Sequence, residues 1–93
     1  MEKLKQILNP SLKDKTYLGM ARLGCFLEYA NTQYKMAEIG AFLGIREVSA
    51  YSYYQRHTKL LKNAKYDGIL SMLRIEVTKG LMSEENPTGE FNR

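Results

Sequence analysis

A chain of 93 residues, 44% hydrophobic and 26% charged, can bury one core and has no room for a second. No apolar run approaches the roughly 20 residues a membrane span needs, and Met1-Glu2-Lys3-Leu4-Lys5-Gln6 lacks the apolar stretch and cleavage site of a signal peptide. The net charge of +4 favours an acidic partner. Cys25, the single cysteine, has no second cysteine for a disulfide or a shared metal, so a reducing, cytoplasmic setting is expected.

Leu4, Ile7 and Leu8 at helical spacing predict a short helix over Glu2 to Leu8, broken by Asn9-Pro10-Ser11 because proline has no N–H to donate. A longer helix is predicted from about Thr16 to Asn31, with Leu18, Leu23, Phe26, Leu27 and Ala30 close to a 3.6-residue period. Gly19 and Gly24 within it each cost roughly 1 kcal/mol of helix propensity, which predicts that another backbone packs against them. Met36 to Leu43 reads as a third helix, Gly44 as a turn, and Glu47 to Leu61 as a fourth. Lys62 to Tyr66 reads as a loop. Asp67 is the expected N-cap of a last helix with the apolar set Ile69, Leu70, Leu73, Ile75 and Val77, Lys79 in its last turn and Gly80 at its end. Residues 1–82 thus form one all-α domain of four to five helices, and 83–93, polar and interrupted by Pro87 and Gly89, form a disordered acidic tail.

Positive charge gathers in the middle of the chain: Arg46, Arg56, Lys59, Lys62 and Lys65 stand against Glu47 alone between Arg46 and Lys65. Just before and within this run lies the most informative stretch, Met36 to Tyr53. Two helices crossing steeply over a short turn need a small residue at the crossing and a residue tolerant of positive φ in the turn. Gly40 and Gly44 meet those needs; Ile39, Leu43 and Ile45 supply inward apolar groups, followed by Ala50 and Tyr53 or Tyr54. The outward positions at the start of the second helix are Arg46, Glu47, Ser49 and Ser52, polar side chains suited to a DNA groove. Charge directly beyond such a helix is where phosphates lie, which makes Arg56, Lys59, Lys62 and Lys65 candidate backbone contacts. The same pattern also fits a plain helical hairpin with a solvated basic face.

No constellation for catalysis stands out, and no enzyme, cofactor or metal is expected. His57 has no second histidine, cysteine or acidic cluster at metal-ligand spacing and reads as a packed or surface side chain. Cys25, beside Phe26 on an apolar face and without a paired histidine, reads as inert core. There is no Gly-x-x-x-x-Gly-Lys phosphate loop. Tyr51, Tyr53, Tyr54 and Tyr66 read first as half-buried core residues, with a base-stacking surface as the alternative.

Glu38-Ile39-Gly40, followed by Leu43-Gly44-Ile45-Arg46-Glu47-Val48-Ser49-Ala50-Tyr51, resembles the C-terminal DNA-binding domain of the bacterial replication initiator DnaA and its Trp-repressor-like relatives. Members carry Glu-Ile-Gly, an apolar-Gly pair and a signature close to Gly-Arg-Asp-His-Ser/Thr-Thr-Val. Gly44, Arg46 and Ser49 match, Glu47 keeps an acid, and Val48, Ala50 and Tyr51 replace a histidine, a threonine and a valine. The likeness runs from about Thr16 to Gly80, with only the motif specific. It implies a helix-turn-helix whose second helix reads bases in the major groove, and an arginine in the minor groove near the position of Arg22. With the histidine gone, the family's recognition sequence is not implied.

The expectation is therefore an all-α helix-turn-helix domain bound to double-stranded DNA, with no membrane partner. Arg22, Arg46, Glu47, Ser49, Ser52, Arg56, Lys59, Lys62 and Lys65 are its contact residues. Glu47 would accept from a cytosine amino group or orient Arg46. A homodimer is compatible, since many such readers occupy two half-sites. The alternative is a helical protein-interaction module that has lost DNA binding, with Val48, Ala50 and Tyr51 as its sticky patch.

Overall fold

The computed structural model describes residues 1–85, and every regular element in that stretch is an α-helix. The order is α1 (Glu2–Leu8), α2 (Tyr17–Ala30), α3 (Met36–Leu43), α4 (Glu47–Leu60) and α5 (Ala64–Glu85). The all-α architecture follows the periodicity of the sequence. No helix among the described residues is long and apolar enough to cross a membrane.

Local chemistry sets most of the helix ends. Asn9 closes α1 in the left-handed region at φ 47°, donating its N–H to Lys5; Pro10 then prevents continuation. Thr16 caps α2 by accepting from Gly19 N–H at 3.0 Å. Asp14 accepts in turn from the Thr16 N–H and hydroxyl, which hold its carboxyl below the usual carboxylate range. At α3, the Glu38 carboxylate accepts from Lys35 N–H at 2.8 Å. Gly44 ends α3 at φ 79°, as a turn glycine should.

α5 departs from expectation at both ends. It starts at Ala64, inside the expected loop, because Asn63 rather than Asp67 is the cap: the Asn63 carboxamide oxygen accepts from Tyr66 N–H at 3.0 Å. Asp67 lies within the first turn. Gly80 does not end the helix. A Cβ there would sit 2.6 Å from Ile7 Cδ1, so this glycine admits α1 instead. Lys79 is accordingly interior, and Ser83 to Glu85, expected as tail, are helical; the rest of the expected tail lies outside the described residues. Ile75, expected in the core, is 56% exposed.

α2 is the hub, packing on α1, α4 and α5, while α3 packs on α4. Leu8, Leu23, Phe26, Leu27, Ala30, Met36, Ile39, Leu70 and Val77 form the buried core, and Phe26 stacks on Phe42 with ring centres 6.0 Å apart. Cys25 is fully buried, and burial first, then the Glu28 charge, pushes its thiol up to about 12. The core also holds a polar cluster. His57 of α4, only 2% exposed, donates through Nε2 to Glu28 of α2 at 2.6 Å and meets the Tyr66 hydroxyl of α5 through Nδ1 at 2.5 Å. That hydroxyl lies 3.2 Å from the Met20 carbonyl, and Arg74 of α5 donates twice to Glu28, at 2.8 and 3.2 Å. Burial opposes the Glu28 charge, but the hydrogen bonds from His57 and Arg74 outweigh it and hold the carboxyl below its usual range. The close neighbour of Gly24 is the His57 ring, and that of Gly19 is the Asp14 side chain; neither is the backbone that the helix glycines suggested.

Candidate functional site

α3 and α4 are joined by Gly44, Ile45 and Arg46. A Cβ on Gly40 would lie 2.9 Å from the Ile45 carbonyl oxygen and 3.3 Å from the Arg46 carbonyl carbon. The start of α4 thus crosses directly over α3 at a residue that must be small. Ile45 N–H donates to the Gly40 carbonyl at 2.8 Å, tying the turn down. The inner face of α4 fully buries only Ala50 and His57, and His57 is hydrogen-bonded to the helices beneath. Tyr53 and Tyr54 pack partly buried against the core, and most of the rest of α4 faces outward.

At about 100° per residue, Val48, Ser52, Gln55 and Lys59 fall on one outer ridge, opposite Ala50 and His57. All four are exposed. One flank of the ridge borders a groove of about 240 Å³ lined by Ser49, Ser52, Tyr53 and Arg56 of α4, Ile45 of the turn, and Lys15 of the segment before α2. Lys15 Nζ and Arg56 Cζ lie 5.8 and 5.9 Å from the Tyr53 ring centre, so one aromatic ring positions both cations. Two hydroxyls and two cations therefore line one groove, an arrangement suited to an oxyanion such as a phosphate.

Most of the expected contact residues gather around α4, but not all in one place. Ser49, Ser52 and Arg56 share the groove. Arg46 is exposed at the N-cap of α4, Lys59 continues the ridge, and Lys62 lies exposed beyond the helix end. Lys65 is exposed in the first turn of α5. Glu47 falls on the flank away from Ser49 and forms no ion pair with Arg46 among the described residues. Arg22 is elsewhere. It lines a larger cleft of about 470 Å³ between α1, α2 and α5, beside Leu18, Met72 and Glu76, with its Nε buried and unpartnered. Ala50 is 0% exposed and cannot belong to a surface patch, whereas Val48 and Tyr51 are 62% and 48% exposed.

Two side chains escaped the sequence reading. Lys15 reaches the groove only through the tertiary path of its loop, and nothing local to it signals that. Gln55 was legible, since it falls on the same helical period as Val48, Ser52 and Lys59. Among the described residues no three His, Cys, Asp or Glu side chains are grouped to hold a metal ion. Comparison with known proteins finds no matching family model, no matching curated protein and no matching solved structure.

Proposed function

We propose that this chain is a helix-turn-helix protein that binds double-stranded DNA through α4, with the ridge in the major groove and the flanking cations on phosphates. The observation that carries the reading is the groove in which Lys15, Arg56, Ser49 and Ser52 converge beside the exposed ridge of a helix launched from a tight glycine turn. An α-helix fits the major groove, which is about 12 Å wide, and phosphates border it on both sides. The likeness of Glu38 to Tyr51 to the DnaA C-terminal domain supports the same reading. The role implied for Arg22 is not part of the proposal, because its cleft lies between other helices. Two copies on two half-sites remain within it.

Fluorescence anisotropy with a pool of random duplexes tests the proposal. If about four cations neutralise phosphates, affinity falls ~100-fold between about 50 and 200 mM salt. No binding at the lower salt refutes it. The exposure of Val48 and Tyr51 favours a second reading, a protein-interaction surface on the same helix. Salt-insensitive self-association without DNA binding would select that reading instead.

A further inference from the structure

A valine 62% exposed near the start of a helix adds nothing to the core. It is also a poorer helix former than the charged and amide residues that ordinarily occupy such positions. Val48 shares its ridge with Ser52, Gln55 and Lys59 within roughly 60° of arc at about 100° per residue. The Gln55 carboxamide has no partner among the described residues; only its backbone carbonyl is engaged, by the Thr58 hydroxyl. Cations border the ridge: Arg46 at its start, Arg56 and Lys15 along one flank, and Lys59 at its far end. A ridge uncharged from Val48 to Gln55, with cations at both ends and along the Ser49 flank and Glu47 on the other, complements a duplex groove, whose edges carry phosphates and whose floor carries base edges.

The chemistry of that floor is restrictive. The 5-methyl of thymine is the apolar group the major groove offers, and adenine N6 and N7 form the donor–acceptor pair that a carboxamide matches with both of its ends. Val48 and Gln55 are seven residues apart, about 10.5 Å along the helix, or about three base-pair steps. Resting on the duplex-binding reading above, we infer that the preferred DNA site carries A·T pairs about three steps apart, one recognised by Val48 through a thymine methyl and the other by Gln55 through adenine N6 and N7. Ser52, between them, can donate or accept and tolerates more than one base.

Selection from randomised duplexes with the full chain, followed by anisotropy on the selected site, tests this. The probes are uracil for thymine, which removes only the methyl, and 7-deazaadenine for adenine, which removes only N7. Uracil at the Val48 position is expected to weaken wild-type binding about fourfold, the worth of one apolar carbon. 7-Deazaadenine at the Gln55 position should weaken it about fivefold, the worth of one hydrogen bond. Val48→Ala should bind the thymine and uracil duplexes alike while keeping its sensitivity to 7-deazaadenine, and Gln55→Ala should show the reverse. Both positions are exposed, so melting curves of the variants should match the wild type. Selection without base preference, or a wild type indifferent to both probes, overturns the inference while salt-sensitive binding leaves the duplex reading intact. No binding to any duplex at low salt overturns both. Self-association of the wild type that Val48→Ala abolishes, with no duplex bound, assigns the ridge to a protein partner.

Discussion

Gly24→Ala adds one methyl to the middle of α2, and the structure makes its cost calculable. The new Cβ would sit 2.5 Å from Cγ and 2.7 Å from Cε1 of His57, and closer still to Nδ1. The ring cannot swing aside freely, because Glu28 holds it at Nε2 and Tyr66 at Nδ1. Overpacking costs about 1–3 kcal/mol, and a retreating ring loses at least one charge-assisted hydrogen bond worth about 1.5–3 kcal/mol. Against this stands the gain of about 1 kcal/mol in helix propensity. The net loss is about 1.5–5 kcal/mol by these terms, which lowers Tm by at least ~6 °C in a domain of this size. Gly68→Ala in α5 is the internal control, since nothing lies within 4 Å of its added Cβ; it should stabilise by about 0.5–1 kcal/mol. Urea titrations of both variants and the wild type read the shifts as changes in midpoint at constant slope. If Gly24→Ala stabilises the domain as Gly68→Ala does, the His57 clamp does not constrain α2 and the reasoning fails.

Further outcomes follow from the same geometry. Because the folded Glu28 carboxyl is held below its usual range, its contribution is fully present above the unfolded value of about 4.3 and is lost as pH falls through the lowered folded value. Glu28→Gln should therefore cost about 1.5–3 kcal/mol near neutrality, with the gap to wild type closing in urea titrations at successively lower pH; a gap independent of pH would contradict the assignment. Cys25, with its thiol pushed up to about 12, should resist a thiol reagent in the native state and react on unfolding, and prompt native labelling would contradict its burial. Gly44→Ala meets no neighbour within 4 Å, so only its φ of 79° opposes the change. It should cost about 1–2 kcal/mol in a urea titration, with Gly44→Asn recovering part of the loss. For DNA binding, Arg56→Ala and Lys15→Ala should each reduce the salt slope by about 0.9, whereas Arg22→Ala should leave it unchanged; a slope that responds to Arg22 would relocate the interface.

Where a single helix carries its own signal, the sequence is enough. The period of Leu4, Ile7 and Leu8 finds α1, and the spacing of Gly40 and Gly44 finds the turn and the crossing above α3. Most departures arise where two distant segments meet. Asp67 and Asn63 are equally good caps by residue type, and Asn63 wins because starting α5 earlier places Tyr66 under His57 and the Met20 carbonyl. Gly80 looks like a helix stop until Ile7 is found against it. Ile75 is a departure within one helix: hydrophobicity groups it with Leu70 and Val77, but its angular position on α5 is nearly opposite theirs. At the site, Ser49, Ser52 and Arg56 follow from the period of α4, but Lys15 is delivered by a loop whose path no local pattern encodes. Arg22, placed by resemblance, occupies a different cleft.

The polar cluster explains how α4 can expose so much of itself. Of its 14 residues α4 buries only Ala50 and His57 outright, with Tyr53 and Tyr54 partly buried against the core. Its attachment also depends on two close approaches: the backbone of the turn on Gly40, and the imidazole on Gly24. Each works through the absence of a Cβ on the partner helix, which lets α4 sit close to its neighbours. The His57 ring then bridges α2 and α5 through Glu28 and Tyr66, and directional hydrogen bonds fix the rotation of α4 about its axis more tightly than an apolar contact would. On the proposed function, rotation is the quantity that matters, because a turn of about 100° replaces one residue of the ridge by its neighbour in sequence. Buried polar groups of this kind add little net stability, and their effect here is orientation: they hold Val48, Ser52 and Gln55 outward and Arg56 beside Lys15, as the proposed function requires.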